Sequence, residues 1–193
     1  MIKSLYPCFQ HWSEKGSVYL VSDTHFKDLD RKFMGYYISE EDQFYLLNDT
    51  CHKFDTLIHL GDVGDLSYIK KLKCYKVLIM GNHDQSIEKM EEAFDEVYSG
   101  PLWISQKLIL SHEPICVTDW NWLNEEDESI AFNIHGHDHG DNSGDYYHLN
   151  ICQNVYGYIP LNLNQVIKSG RLKNINDIHR ITINKATERK EYV

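Results

Sequence analysis

Proline is scarce, at four in 193 residues, and no Gly/Ser/Pro-rich linker, internal repeat or low-complexity tract interrupts the chain. Nothing therefore marks a boundary, and residues 1–193 are read as a single domain long enough for a full core. No run approaches the ~18 continuous apolar residues of a membrane span. Met1 to Gly16 mixes Lys, Glu, His and Trp and lacks the apolar stretch of a signal peptide, so no membrane association is expected. The five cysteines (Cys8, Cys51, Cys74, Cys116 and Cys152) are odd in number, far apart, and form no C-x-x-C pair. That speaks against a disulfide framework and a Cys-based zinc site, and fits reduced thiols in a cytoplasmic protein. Positive charge is also short, with 19 Lys and Arg against 29 Asp and Glu and a net charge of −10. Stable nucleic-acid binding through a basic surface is not expected. An anionic substrate stays open, provided bound cations reverse the field locally.

What the chain does have is a repeated pairing of apolar runs with metal-ligand residue types. Val18–Val21 runs into Ser22-Asp23-Thr24-His25, and Thr56–Leu60 into Gly61-Asp62-Val63-Gly64-Asp65. Val77–Met80 leads to Gly81-Asn82-His83-Asp84, Lys107–Leu110 to Ser111-His112-Glu113-Pro114, and Ile130–Ile134 to His135-Gly136-His137-Asp138-His139. Short runs of β-formers closing on a polar turn read as buried strands. In open α/β sheets ligands bind at the carboxyl ends of strands, so these five loops can meet in one crevice. They offer imidazole, carboxylate and amide oxygen but no thiolate, a set that suits Mn, Fe, Co or Zn. The two-residue step from Asp23 to His25 sends both side chains to one side of an extended chain, as does the step from His137 to His139.

The connecting segments read more weakly. Residues 1–16 are an irregular leader. Ser39 with Asp42 resembles a capping box, ahead of a helix with Phe44, Leu46, Leu47, Cys51 and Phe54 on its apolar face. Short helices are expected over Leu66–Lys73, Ser86–Phe94 and Leu163–Lys168. A weak strand is expected near Val97, with others over Tyr146–Cys152 and Ile181–Ile183. Lys70, Lys71, Lys73 and Lys76 read as one solvated helix face. His59 and His135 read as buried histidines that bond their neighbours. Trp120 and Trp122 read as core packing or as part of a lid, and Glu125–Glu128 as a solvated loop.

The ordered set D-x-H, G-D, G-N-H-D, H and G-H-x-H resembles the calcineurin-like metallophosphoesterase superfamily over roughly residues 18–163. The resemblance implies an α/β fold (α+β, four-layer), a central β-sandwich of two mixed sheets flanked by helices, and a dinuclear metal site at the carboxyl ends of strands. It would put Asp23, His25, Asp62 and His139 around the first of two divalent ions (Mn, Fe, Zn or Co). Asp62 would bridge to the second, held also by Asn82, His112 and His137. The implied reaction is hydrolysis of a phosphate ester by in-line attack of a metal-bridging hydroxide. His83 matches the family histidine that is not a ligand, with the role of steadying the transition state or protonating the leaving oxygen. Asp65 matches a carboxylate that orients it, while Asp84 offers itself as a competing orienting group or a helix N-cap.

Two departures bear on the substrate. The protein Ser/Thr phosphatase branch carries G-D-x-x-D-R-G, and here Leu66-Ser67 stands in place of Arg-Gly, so that activity is not expected. The branch that matches best has a histidine soon after its D-T-H-F, where this chain has Lys27-Asp28. The expectation is a phosphodiesterase on a small phosphorylated or nucleotide-like substrate. A phosphomonoesterase or nucleotide pyrophosphohydrolase on the same site is the alternative, and a non-catalytic interaction scaffold a further one. A scaffold would be expected to lose ligands or the histidine, and this chain keeps them.

Overall fold

The computed structural model describes residues 6–105, 108–116, 131–140 and 147–169. Two mixed sheets and a few short helices make an α/β fold. The first sheet takes in β1 (Val18–Val21), β2 (Thr56–His59), β3 (Tyr75–Ile79), β4 (Glu96–Tyr98) and β9 (Leu161–Asn162), in the order β4-β3-β2-β1-β9. Strands β1 to β4 pair in parallel, and β9 closes the far edge antiparallel to β1. The second sheet holds β5 (Leu102–Ser105), β6 (Leu108–Leu110), β7 (Phe132–His135) and β8 (His148–Asn150) in that order. In it β5 is antiparallel to β6 and the other pairs are parallel.

Period-two alternation along β1 to β3 loads both faces of the first sheet, the pattern of strands buried on two sides. Val18, Leu20, Ile58, Val77 and Ile79 join Ile104, Leu108, Leu110, Phe132 and Ile134 of the second sheet in one apolar cluster. Val21, Leu57 and Leu78 turn the other way, against Leu47 and Cys51, Leu66 and Ile69, and Met90 and Phe94. These belong to or flank α1 (Glu40–Thr50), α2 (Leu66–Ile69) and α3 (Ile87–Met90). Among the described residues no helix is long and apolar enough to cross a membrane.

Several expectations need correction. The supposed irregular leader contains a 3₁₀ helix, Pro7–Ser13, whose Phe9 and Trp12 stack with centroids 4.5 Å apart and enter the shared cluster. Ser39 does cap α1 through a bond from the Asp42 N–H, but Phe54 lies beyond the helix and is 64% exposed. Helices α2 and α3 are each one turn, shorter than expected, because Asp65 and Ser86 start them but Lys70 and Glu91 already end them. Lys70, Lys71, Lys73 and Lys76 therefore do not share a helix face. Three further elements escaped the sequence reading: β5, α4 (Gln153–Tyr156) and β9. The helix expected at the end is α5 (Leu163–Lys168). Trp120, Trp122, Glu125–Glu128 and Ile181–Ile183 lie outside the described residues.

Candidate metal centre

The parallel strands set the geometry. β1, β2, β3, β6 and β7 end on Asp23, Asp62, Asn82, His112 and His137 respectively, within one to four residues of the strand. Beyond β1 and β2 the backbones stay zipped: Asp23 N donates to Gly61 O at 3.0 Å, His25 N to Asp62 O at 3.1 Å and Phe26 N to Val63 O at 3.1 Å. Asp23, His25, Asp62 and His137 all take positive φ, at 55°, 43°, 57° and 69°. A left-handed backbone costs a non-glycine residue roughly 1–2 kcal/mol, and such strain gathers where a site demands it. Here it turns side chains at adjacent strand ends towards one point.

Asp62 is the hub. Its Oδ2 lies 3.6 Å from His25 Nε2 and 3.4 Å from His112 Nε2, while its Oδ1 accepts from the His83 backbone N–H at 2.9 Å. On one side, Asp23 Oδ1 lies 3.9 Å from His25 Nε2 and 3.6 Å from His139 Nε2. On the other, Asn82 Oδ1 lies 2.8 Å from His112 Nε2 and 3.1 Å from His137 Nδ1. The structure thus brings together all seven side chains singled out from the sequence, in two groups sharing one carboxylate.

Three of the four imidazoles are held in a single tautomer. His112 Nδ1 donates to Leu60 O at 2.8 Å, His25 Nδ1 to Asp28 Oδ2 at 3.0 Å, and His139 Nδ1 to Asn154 Oδ1 at 3.0 Å. Each bond turns Nε2 inward, so that on losing any proton to a bound cation that nitrogen offers its lone pair there, the arrangement by which outer acceptors prepare a histidine for a metal. Asp23 Oδ2 is occupied by the Ser22 hydroxyl and the His137 N–H. Its Oδ1, however, is buried without a hydrogen-bond partner among the described residues, and so is His25 Nε2. Buried polar atoms are costly to leave unpaired, and a cation between these two would satisfy both. The donor set fits a divalent ion.

Titration behaviour follows the same geometry. Burial would lift the Asp62 carboxyl, but the bond and charge of His112 outweigh it and hold it down at about 2. Burial would likewise depress His112, yet Asp62, Asp23 and the Leu60 carbonyl push it up to about 9. Burial dominates at His25 and lowers it. His59, fully buried, is held down at about 3, and its Nε2–H donates to Thr24 Oγ1 at 3.0 Å. Thr24 in turn donates to Val63 O at 2.7 Å, fixing the backbone between Asp23 and His25. A histidine with a depressed pKa contributes stability fully present above its unfolded value of 6.5 and lost as pH falls towards about 3. From this group alone the protein is expected to be about 2 kcal/mol less stable at pH 5 than at pH 7. Urea midpoints at the two pH values check this, and the difference should shrink in His59→Gln.

The glycine before His137 has no room for a side chain. A Cβ on Gly136 would stand 2.1 Å from Asp23 Oδ2 and 1.9 Å from Ser22 Oγ. Gly136→Ala is expected to displace Asp23 and lower metal affinity by about 10-fold or more, the range seen when groups orienting a ligand are lost. Calorimetric titration with manganese would measure it.

The residues around His83 behave differently from expectation. Asp65 caps α2 through Ser67 N at 2.8 Å and pairs with Lys27 Nζ. Among the described residues no hydrogen bond links it to His83. Asp84 is not the cap of α3, whose N-cap is Ser86. Its Oδ2 accepts from Gly81 N at 2.8 Å and Asp62 N at 3.1 Å, and its Oδ1 from Val63 N at 2.9 Å, so it clamps the β2 loop to the β3 loop. His83 itself is exposed, its ring centroid 5.4 Å from that of His25. It stands at the lip of a cleft of about 280 Å³ lined also by Phe26, Lys27, Asp28 and Gln85.

Sequence reading missed three contributors. Tyr36 donates its hydroxyl to Asp23 O, and Arg31 donates to Thr24 O at 2.6 Å, so both brace the first loop from a segment without a motif. Cys152 is buried with its Sγ 3.2 Å from His139 Nδ1, and with Asp23 and His139 it forms a second group of potential ligand atoms. The signal was present: Cys152 follows β8, a further strand ending in the same crevice. Burial, then the Asp23 carboxylate, pushes this thiol far up and keeps it protonated.

Fold and site together define an α/β protein of two mixed sheets with metal-ligand side chains gathered at the ends of its parallel strands. No family model matches the chain, and no curated protein matches it. Its structure is similar to that of AQ665 from Aquifex aeolicus, a protein of unknown function, at 28% identity and a TM-score of 0.64. That likeness covers 79% of this chain and 98% of the other, so the fold spans essentially all of AQ665. The nuclease MPE from Pseudomonas putida matches at 21% identity and a TM-score of 0.39, over 62% of this chain and 59% of that one. A likeness of that size bears on neither fold nor function.

Proposed function

We propose that the chain is a dinuclear-metal phosphoesterase, with its two sheets stacked as a central sandwich in four layers. It acts as a phosphodiesterase on a small phosphorylated or nucleotide-like substrate. The observation that carries this reading is the convergence of two groups of ligand atoms on one carboxylate, beside two buried polar atoms without a hydrogen-bond partner among the described residues. Asp23, His25, His139 and Asp62 would hold one ion. Asp62, Asn82, His112 and His137 would hold the other. Oxygen and imidazole donors suit Mn, Fe, Zn or Co. When bound, the pair supplies a water activated at neutral pH and neutralises charge on the phosphoryl oxygens.

The chain's own residues supply the rest. Asp84 keeps the β2 and β3 loops in register, so that Asp62 and Asn82 hold their spacing. The His83 backbone, bonded to Asp62 Oδ1, fixes where its exposed ring stands. From the lip of the cleft that ring delivers a proton to the departing oxygen. Asp65 acts as a positioning residue through Lys27. Among the described residues Lys27 is the only lysine or arginine lining this cleft, and it is paired with Asp65 while Asp28 and Asp84 lie close by. Such a wall favours the singly charged diester over the doubly charged monoester.

Assays with bis-p-nitrophenyl phosphate, p-nitrophenyl phosphate and a dinucleoside polyphosphate in manganese buffer test the reading. The diester is expected to turn over fastest, and EDTA to stop the reaction. Preference for the monoester or the polyphosphate would transfer the site to those substrates. No turnover of any of them in the metal-loaded protein would leave the scaffold reading.

A further inference from the structure

We propose that a second site, recognising a nucleoside phosphate, occupies the opposite end of the five-stranded sheet. A cleft of about 490 Å³ opens there, where β2 and β3 begin at Thr56 and Tyr75. The four residues of β2, at about 3.3 Å each, hold it roughly 13 Å or more from the metal-ligand cluster at the strands' other ends.

Basic side chains outnumber acidic ones in its walls, against the balance of the whole chain. Lys15, Lys53, Lys73 and Lys76 arrive from three separate segments, four of the 19 basic residues in a chain of net charge −10. Among the described residues, Lys15, Lys53 and Lys73 form no ion pair; Lys76 alone is paired, with Asp95 at 3.3 Å. Three acidic residues, Glu14, Asp55 and Asp95, also line the cleft, and two of them are held by backbone amides. Asp55 accepts from Ser17 N and His52 N, each at 2.8 Å, and Asp95 accepts from Lys76 N at 2.7 Å. The four lysines outnumber the three carboxylates that line the cleft, and Lys15, Lys53 and Lys73 are exposed, so a local excess of positive charge stands here that favours a compact anion.

Two rings extend the recognition from an anion to an aromatic one. Phe54 is 64% exposed and Tyr75 38%, although large aromatic side chains gain most from burial. Lys53 Nζ stands 5.8 Å from the Phe54 ring centroid, so charge and stacking surface lie side by side. A base stacked on such a ring, with its phosphate among the lysines, would cover the exposed apolar area and neutralise the unpaired charge together.

Titration of the full-length chain by calorimetry tests this, in EDTA so that no divalent ion draws phosphate to the other end. AMP is expected to bind with Kd below about 100 µM, with adenosine and inorganic phosphate each weaker by about 10-fold or more. The double substitution Lys53→Ala/Lys73→Ala should weaken AMP by about 10-fold or more, and Phe54→Ala should weaken AMP but leave phosphate unchanged. All three residues are exposed, so the unfolding midpoint serves as the control for intact structure. As a measurement without mutation, AMP should shift the amide resonances of Lys15, Phe54 and Tyr75 in the wild-type chain. Absence of AMP binding, equal binding by the double variant, or phosphate binding as tightly as AMP would overturn the proposal.

Discussion

Asp62→Ala is expected to lower phosphoester turnover by about 10³-fold or more, since losing a shared ligand dismantles both halves of a two-metal site. The expectation rests on one oxygen atom. Asp62 Oδ2 lies within 3.6 Å of imidazoles belonging to both donor groups, whereas Asp23 reaches the second group only through the His137 backbone N–H. Removing it leaves His25 and His112 facing each other across a buried space with Asp23 as the remaining carboxylate. Metal content, measured by elemental analysis of purified protein, should fall below two ions per chain in parallel with the rate. Asp62→Asn keeps the shape and an acceptor for the His83 N–H, and should lose metal as well. That outcome would separate a ligand role from a purely structural one.

His83→Ala is expected to retain both metals and lower kcat by about 10²- to 10⁴-fold, the usual contribution of a positioned proton donor. The side chain is exposed and its backbone, not its ring, bonds to Asp62, so truncation leaves the hub in place. The loss should be smallest for esters with acidic leaving groups such as p-nitrophenol, which depart without protonation. A wild-type rate on every substrate would remove His83 from the reaction. Full activity accompanied by lost metal would give it a ligand's role instead.

The sequence disclosed the candidate donor residues more readily than the segments that support them. Asp23, Asp62, Asn82, His112 and His137 stand out because each follows a run of β-formers, and the strand–loop pattern is local. The segments holding them are not local in that sense. Tyr36 and Arg31 brace the first loop from a stretch of turns that has no period, and the Pro7–Ser13 helix buries Phe9 and Trp12 without an amphipathic repeat to announce it. Asp84 reads as a cap because it precedes a helix, yet its carboxylate reaches three backbone amides that only the folded loops bring near. Asp65 follows the same rule in reverse. The family resemblance points it towards His83, while the structure gives it Ser67 N and Lys27 as partners. The positive φ values at Asp23, His25, Asp62 and His137 were beyond reach too, because neither Asp nor His requires that conformation.

Lys73 and Lys76 show how a misjudged helix end alters a functional reading. Counted as one solvated helical face with Lys70 and Lys71, they carry no information. With α2 ending at Ile69, Lys73 and Lys76 instead flank the start of β3 and line a cleft with Lys15 and Lys53.

Anomalous diffraction from crystals soaked in manganese tests the central claim most directly. Two peaks are expected, one on each side of Asp62 Oδ2: the first bounded by Asp23, His25 and His139, the second by Asn82, His112 and His137. No ion among these side chains, or a lone ion that leaves Asp62 uncoordinated, would contradict it.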